Sequence, residues 1–179
     1  KWIARVPGLA FGYEEALGYC TDPAAVADKD GITALLRVLA LAALLKADGR
    51  TLADRLDDLA RDHGVCVTEP LNYRVADIAL IADAMARLRA QPPARLAGEA
   101  VQVVDLADGS PDLPPTDGLL FTGERVRAVV RPSGTEPKLK CYLQVRLSAE
   151  QSRDLPVARA EAAAVLARLR SDLAATLAL

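Results

Sequence analysis

The sequence holds a single histidine, His63, and only three cysteines, Cys20, Cys66 and Cys141. A structural zinc site needs about four nitrogen, sulfur or oxygen ligands at characteristic spacings, so none is expected. The cysteines are odd in number, far apart and form no CxxC pair. That pattern excludes a disulfide framework and leaves them as core residues, where free thiols usually reside. No stretch approaches the roughly 20 apolar residues a membrane span requires; the apolar run Ile32–Leu45 is broken by Arg37. The opening Lys1–Arg5 carries no long apolar segment after its basic residue, so no secretory signal is expected and the expected location is cytoplasmic. Positive charge is not in excess: the formal net charge is -2. General nucleic-acid binding normally shows a basic face or stripe and is not expected, although one basic loop can still hold a local anion. An initiator methionine is also lacking, and the chain reads as part of something longer. What is present is ordinary for a globular protein: 51% apolar residues, 26% charged residues, and 179 residues in all, enough for one or two domains.

The periodicities suggest an order of elements. Residues 1–13 read as a short strand, a turn at Pro7-Gly8 and a loop. Ile32–Ala47 reads as a helix that is apolar almost all round and so belongs between layers, with Asp48-Gly49 as its stop. Thr51 is a good N-cap for a second helix, and Asp54 stands where it completes a capping-box-like start. Four acids of that helix, Asp54, Asp57, Asp58 and Asp62, read as its solvent face, and His63 sits favourably near its C-terminus. Val65–Val67 looks like a short strand, and Pro70 and Asn72 mark a connection. A domain boundary is expected at residues 65–72. Residues 75–90 read as an amphipathic helix that Gln91-Pro92-Pro93 stops. Strands are expected at 100–106, 118–122, 125–130 and 139–147, with a hairpin turn at Thr122-Gly123. The acids from Asp105 to Asp117 read as an exposed loop, and an alanine-rich helix over 154–177 closes the chain. Sequential strands with short links favour an antiparallel sheet with helices on one face, an α+β arrangement.

Three segments carry possible chemistry. Arg131-Pro132-Ser133-Gly134-Thr135-Glu136-Pro137-Lys138 lies between two expected strands. It offers a guanidinium for bidentate pairing, two hydroxyls, a glycine that lets backbone approach an anion, and two prolines that stiffen the shoulders. Gly12-Tyr13-Glu14-Glu15-Ala16-Leu17-Gly18-Tyr19 offers carboxylates, which accept strongly from sugar hydroxyls. Asp28-Lys29-Asp30-Gly31 offers an ammonium beside a helix start. Taken singly, each could be a solvated turn, an acidic helix start or a cap cluster.

In this order and spacing the three segments together resemble the α-D-phosphohexomutase superfamily of phosphoglucomutases and phosphomannomutases. The resemblance covers essentially the whole chain, and R-P-S-G-T-E-P-K is its most specific motif. It implies an α/β partial third domain over residues 1–64 and a hinge or linker over 65–72. An α+β fourth domain follows over 73–179, an antiparallel sheet with helices on one face, like that of TATA-binding protein. It implies that Arg131, Ser133, Gly134 and Thr135 hold the substrate phosphate, with Lys138 and Lys140 as weaker candidates. Glu14 and Glu15 would then hold the sugar, and Lys29 would reach the substrate or the transferring phosphoryl group as the one candidate catalytic residue. Ala16 stands where the family often has serine, which leaves the sugar open, and the E-E-A-L-G-Y form looks more like the phosphoglucomutase and phosphopentomutase branch. The family activity is interconversion of sugar 1-phosphate and 6-phosphate through a phosphoserine and a sugar bisphosphate, which also serves as activator. The phosphoserine and the loop that binds Mg²⁺ belong to first and second domains that this chain does not show. The expected partners are a small sugar phosphate and those N-terminal domains, and these residues alone are expected to be inactive. A phosphopentomutase and a non-catalytic sugar-phosphate-binding module are the alternatives.

Overall fold

The computed structural model describes residues 3–14, 17–109 and 114–179. The chain divides into two compact units, Lys1–Asp58 and Leu59–Leu179.

In the first unit, β1 (Gly12–Glu14) and β2 (Gly18–Cys20) form an antiparallel hairpin in which Tyr13 faces Tyr19. Residues 3–5 form a single 3-10 turn where the sequence suggested a strand. Helix α1 (Gly31–Ala47) follows, capped by the Asp30 carboxylate, which accepts from the Ile32 and Thr33 backbone N–H groups at 3.3 and 2.8 Å. The expectation of a helix buried between layers is corrected here. Only Leu45 of α1 is buried, while Ile32 and Leu44 are 72% and 68% exposed. A helix apolar on all sides needs a packed layer on all sides, and the elements of this unit do not supply one.

Helix α2 (Leu52–His63) begins with the capping box that the sequence indicated. Asp54 accepts from the Thr51 backbone N–H at 2.7 Å, and the Thr51 hydroxyl accepts from the Asp54 N–H at 3.1 Å. Asp58, read as a solvent-face acid, forms an ion pair with Arg50. The boundary between the two units falls within α2.

In the second unit a five-stranded antiparallel sheet has the order β3-β9-β8-β7-β6, from β3 (Cys66–Arg74), β6 (Gln102–Asp105), β7 (Leu119–Thr122), β8 (Val126–Pro132) and β9 (Lys138–Arg146). Residues 65–72, expected to be a hinge, are corrected by this sheet: Cys66–Arg74 pairs with β9 along its whole length, from Cys66↔Arg146 to Arg74↔Lys138. Helices α3 (Ala79–Ala90) and α4 (Leu155–Leu177) supply the core's other wall. In α4, Leu155, Ala158, Ala162, Val165, Leu169 and Leu173 are buried at three- and four-residue steps. They meet the odd-numbered residues of β9, Leu139, Cys141, Leu143 and Val145, which are essentially inaccessible. A two-residue pair of strands, β4 (Arg95–Leu96) and β5 (Glu99–Ala100), is closed by Ala97 and Gly98 at positive φ.

Two details close the entry into this sheet. Gly64 has φ +94, and a Cβ there would lie 2.0 Å from the Leu147 carbonyl oxygen, so glycine is required. The buried Ser152 hydroxyl accepts from the Val65 N–H at 2.9 Å and donates to the Ser148 carbonyl at 2.8 Å.

The sheet's alternation also separates charge. Arg127 and Arg131 of β8, Lys138, Lys140 and Arg146 of β9, and Arg74 of β3 all fall on the face away from the helices, as the pairs Arg127↔Gln144, Arg131↔Lys140 and Arg74↔Lys138 require. The acids of the sheet, Glu69 of β3 and Asp105 of β6, fall on the helix side, ion-paired with Arg170 and Arg89. Two of the acids that read as an exposed loop are thus engaged, because Arg89 also reaches Asp117 at 2.5 Å. Cys20 and Cys141 are buried as expected, and burial pushes the Cys141 thiol up to about 12. Cys66 is a correction: it is exposed, on the open face of the edge strand. No helix of the described residues is long and apolar enough to cross a membrane.

Candidate functional site

The β1–β2 hairpin brings Glu14 and Lys29 together although fifteen positions separate them: Lys29 Nζ donates to Glu14 Oε1 at 2.8 Å. Backbone geometry sets this up. The Asp30 N–H donates to the Tyr19 carbonyl at 2.9 Å, which lays the segment before α1 along β2. Gly18 then makes room, since a Cβ there would lie 2.5 Å from Glu14 Cγ and 3.0 Å from Lys29 Cδ. The hydrogen bond from Lys29 to Glu14, and then their charge attraction, hold the Lys29 ammonium above its ordinary pKa. Lys29 therefore stays a cation at neutral pH and cannot serve as a general base there. Both side chains line a cavity of about 340 Å³, with Tyr13, Gly18 and Cys20 in its wall. The Tyr13 and Tyr19 rings stand 5.3 Å apart. Asp30, whose carboxyl the Thr33 and Ile32 donors hold below the ordinary range, is engaged as a helix cap. Glu15 and Ala16, the other positions of this segment singled out from the sequence, lie outside the described residues.

The second candidate segment lies in the other unit, at one end of the sheet. β8 runs to Pro132 and β9 starts at Lys138, so residues 133–137 form the turn. Its backbone is pinned: the Ser133 N–H donates to the Lys138 carbonyl at 2.8 Å, the Lys138 N–H to the Glu136 carbonyl at 2.7 Å, and the Val75 N–H to the Pro137 carbonyl at 3.1 Å. Glu136 lies 3.4 Å from the Arg74 guanidinium. Among the described residues the side chains of Arg131, Ser133, Thr135, Lys138 and Lys140 have no hydrogen-bond or ion-pair partner. Arg131, Gly134 and Thr135 are exposed and Ser133 is half-buried. Gly134 is not demanded by its own surroundings, since a Cβ there would meet nothing within 4 Å. A fixed backbone carrying unengaged cationic and hydroxyl donors is suited to an oxyanion.

The sequence singled out both segments as candidates, Glu14 and Lys29 among their residues, but it did not show that these two engage each other. The relevant signal was Gly18, the one residue between them with no side chain. Among the described residues no three of His, Cys, Asp and Glu come together as a metal site.

Residues 71–162 match the family model of the phosphoglucomutase/phosphomannomutase C-terminal domain. The chain belongs to that family. A probable phosphomannomutase of Haemophilus influenzae is 45% identical over 147 residues, covering 82% of this chain and 30% of the relative. A phosphoglucomutase of Staphylococcus epidermidis is 29% identical over 160 residues, covering 81% and 29%. The chain therefore spans about 30% of the length of these curated relatives. Among solved structures, the open form of parafusin from Paramecium, described as a phosphoglucomutase, superposes with a TM-score of 0.60 at 20% identity over 94% of this chain and 31% of the other. That likeness carries the α+β fold of the sheet unit with its one-sided helices.

Proposed function

We propose that these residues are the substrate-gripping part of an enzyme that interconverts sugar 1-phosphates and sugar 6-phosphates. The observation that carries the reading is the turn after β8, where Arg131, Ser133, Thr135 and Lys138 present donors with no internal partner on a pinned backbone. Arg131 grips two phosphate oxygens, the hydroxyls of Ser133 and Thr135 donate to the others, and the bare Gly134 backbone admits close approach. In the other unit, one Glu14 oxygen remains to accept from sugar hydroxyls while Lys29 occupies its neighbour. Lys29, held as a cation, offsets phosphoryl charge and does not take a proton. Gripping the non-reacting phosphate and the ring contributes binding energy remote from the bond that breaks.

Phosphoserine and a bisphosphate intermediate are part of this proposal, as is Mg²⁺, and we assign all three to segments other than the described residues. The exposed apolar surface of α1 supports that assignment, since a patch of this extent is commonly an interaction surface. A hexose phosphate is favoured, because the two relatives named above are a phosphomannomutase and a phosphoglucomutase.

The test is Arg131→Ala in the intact polypeptide, assayed with glucose 1-phosphate. Loss of a charge-assisted contact of about 1.5–3 kcal/mol raises KM by roughly 10- to 150-fold. Unchanged KM and kcat would sink the assignment of this turn.

A further inference from the structure

The opposite end of the same two strands carries a second cluster. The start of β8 meets the end of β9 there, and with the turn after β7 they wall a cavity of about 450 Å³. That is within the range of small-molecule pockets. Arg127 lies directly across from Thr122 on one side and Gln144 on the other, and Arg146 is two residues beyond Gln144 on the same face. Arg127 and Arg146 are therefore diagonal cross-strand neighbours, about 7–8 Å apart with their Cβ atoms somewhat closer.

Like charges so placed repel unless something lies between them. Among the described residues neither guanidinium has an ion-pair or hydrogen-bond partner. Arg125, in the wall of the same cavity, shows the contrast: it reaches Glu99 at 2.6 Å and Glu161 at 2.7 Å. Those pairs leave Arg125 neutralised, and Glu124 is then the one carboxylate of the lining set against Arg127 and Arg146. The neutral donors beside them are the Thr122 hydroxyl and the Gln144 amide, whose contact is to the Cys66 sulfur at 3.2 Å.

From these placements we infer that this cavity is a second anion site, built for a small phosphorylated molecule whose phosphate bridges Arg127 and Arg146. It is separate from the turn after β8. Arg127 and Arg131 are four residues apart on one strand, and Lys138 and Arg146 eight apart on the next, which at the rise of a strand is about 13 and 27 Å. One phosphate cannot serve both. The volume exceeds what inorganic phosphate fills, so the ligand is an ester with a body that occupies the rest. The open face between the two sites carries Lys140 and no acid of its strands, so an approaching anion meets attraction along its length. The inference does not depend on what the turn after β8 binds.

The experiment uses inorganic phosphate as probe and phenylglyoxal, which modifies unengaged arginines, with modified peptides read by mass spectrometry on the intact polypeptide. Phosphate should slow modification of Arg127 and Arg146 together, whereas sodium chloride at equal ionic strength should not. Glu124→Gln should lower the half-protecting concentration several-fold by removing the opposing charge. Arg127→Met should raise it about tenfold at Arg146, and Arg131→Met should leave it where it was. Protection equal in chloride would reduce the effect to screening and overturn the site. So would Arg146 protection indifferent to Arg127→Met, or protection abolished by Arg131→Met.

Discussion

The two candidate binding segments are held in opposite ways. The turn 133–137 ends two strands whose inner faces are closed by α4, and its side-chain donors engage nothing among the described residues. The hairpin 12–20 belongs to a unit whose main helix leaves its apolar side chains exposed, and its Glu14 is engaged by Lys29 of the segment before α1. The first segment is rigid in its backbone and open in its chemistry. The second is closed in its chemistry, with Glu14 and Lys29 as mutual partners until a ligand divides them. Preorganisation can thus reside in the support or in the side chains, and a ligand meets a different cost in each case.

That contrast can be broken at its strongest point first. Gly64→Ala places a methyl against the Leu147 carbonyl, backbone that cannot turn aside. We expect a loss of about 4 kcal/mol or more in urea unfolding, with the β3–β9 edge opening first in hydrogen exchange. A loss below about 1 kcal/mol would mean that the sheet support yields easily and that the contrast is false.

Acid should distinguish the units next. Burial works to raise the Glu99 carboxyl, but the Arg125 N–H and guanidinium outweigh it, and Glu99 sits below its ordinary pKa. Asp105 is held low by Arg89. A carboxyl lowered on folding contributes stability above its unfolded pKa of about 4 and loses it as pH falls through the folded value. The sheet unit should therefore weaken progressively below about pH 4–5, and Glu99→Gln should flatten that slope. An unchanged slope in the variant would remove Glu99 from the account.

The smallest effect is expected in the hairpin. Gly18→Ala meets the side chains of Glu14 and Lys29 rather than backbone, so unfolding should shift by about 1–3 kcal/mol, less than at Gly64. The pair itself should separate, and Lys29 should acylate faster with an amine-directed reagent. Equal reactivity in both proteins would show that Gly18 does not hold the pair in place.

Much of this was legible in the sequence because the elements obey their own periodicities. Helices α2 and α4 appear within a residue or so of where caps and apolar spacing put them, and the strands from β7 to β9 alternate clearly. The long strand β3 was hidden by Pro70, which suggested a connection. Proline lacks the donor that a central strand needs, and β3 tolerates it because it is the sheet's edge. The β4–β5 hairpin was too short to show a period. The charge balance was misleading in a different way. A net charge of -2 concealed a basic face, because alternation sends Lys138, Lys140 and Arg146 to one side while the acids Glu69 and Asp105 go to the other. In α1 the sequence spoke of burial, and the partners for that burial are not among the described elements.

The exposed thiol of Cys66 has a practical consequence. Cys141 is shut inside the sheet unit and Cys20 is buried in a cavity wall, so a maleimide should attach first at this position in the folded protein. A dye placed there would lie at the rim of the open sheet, beside Arg146 and Gln144, and its brightness would follow whatever settles on that surface.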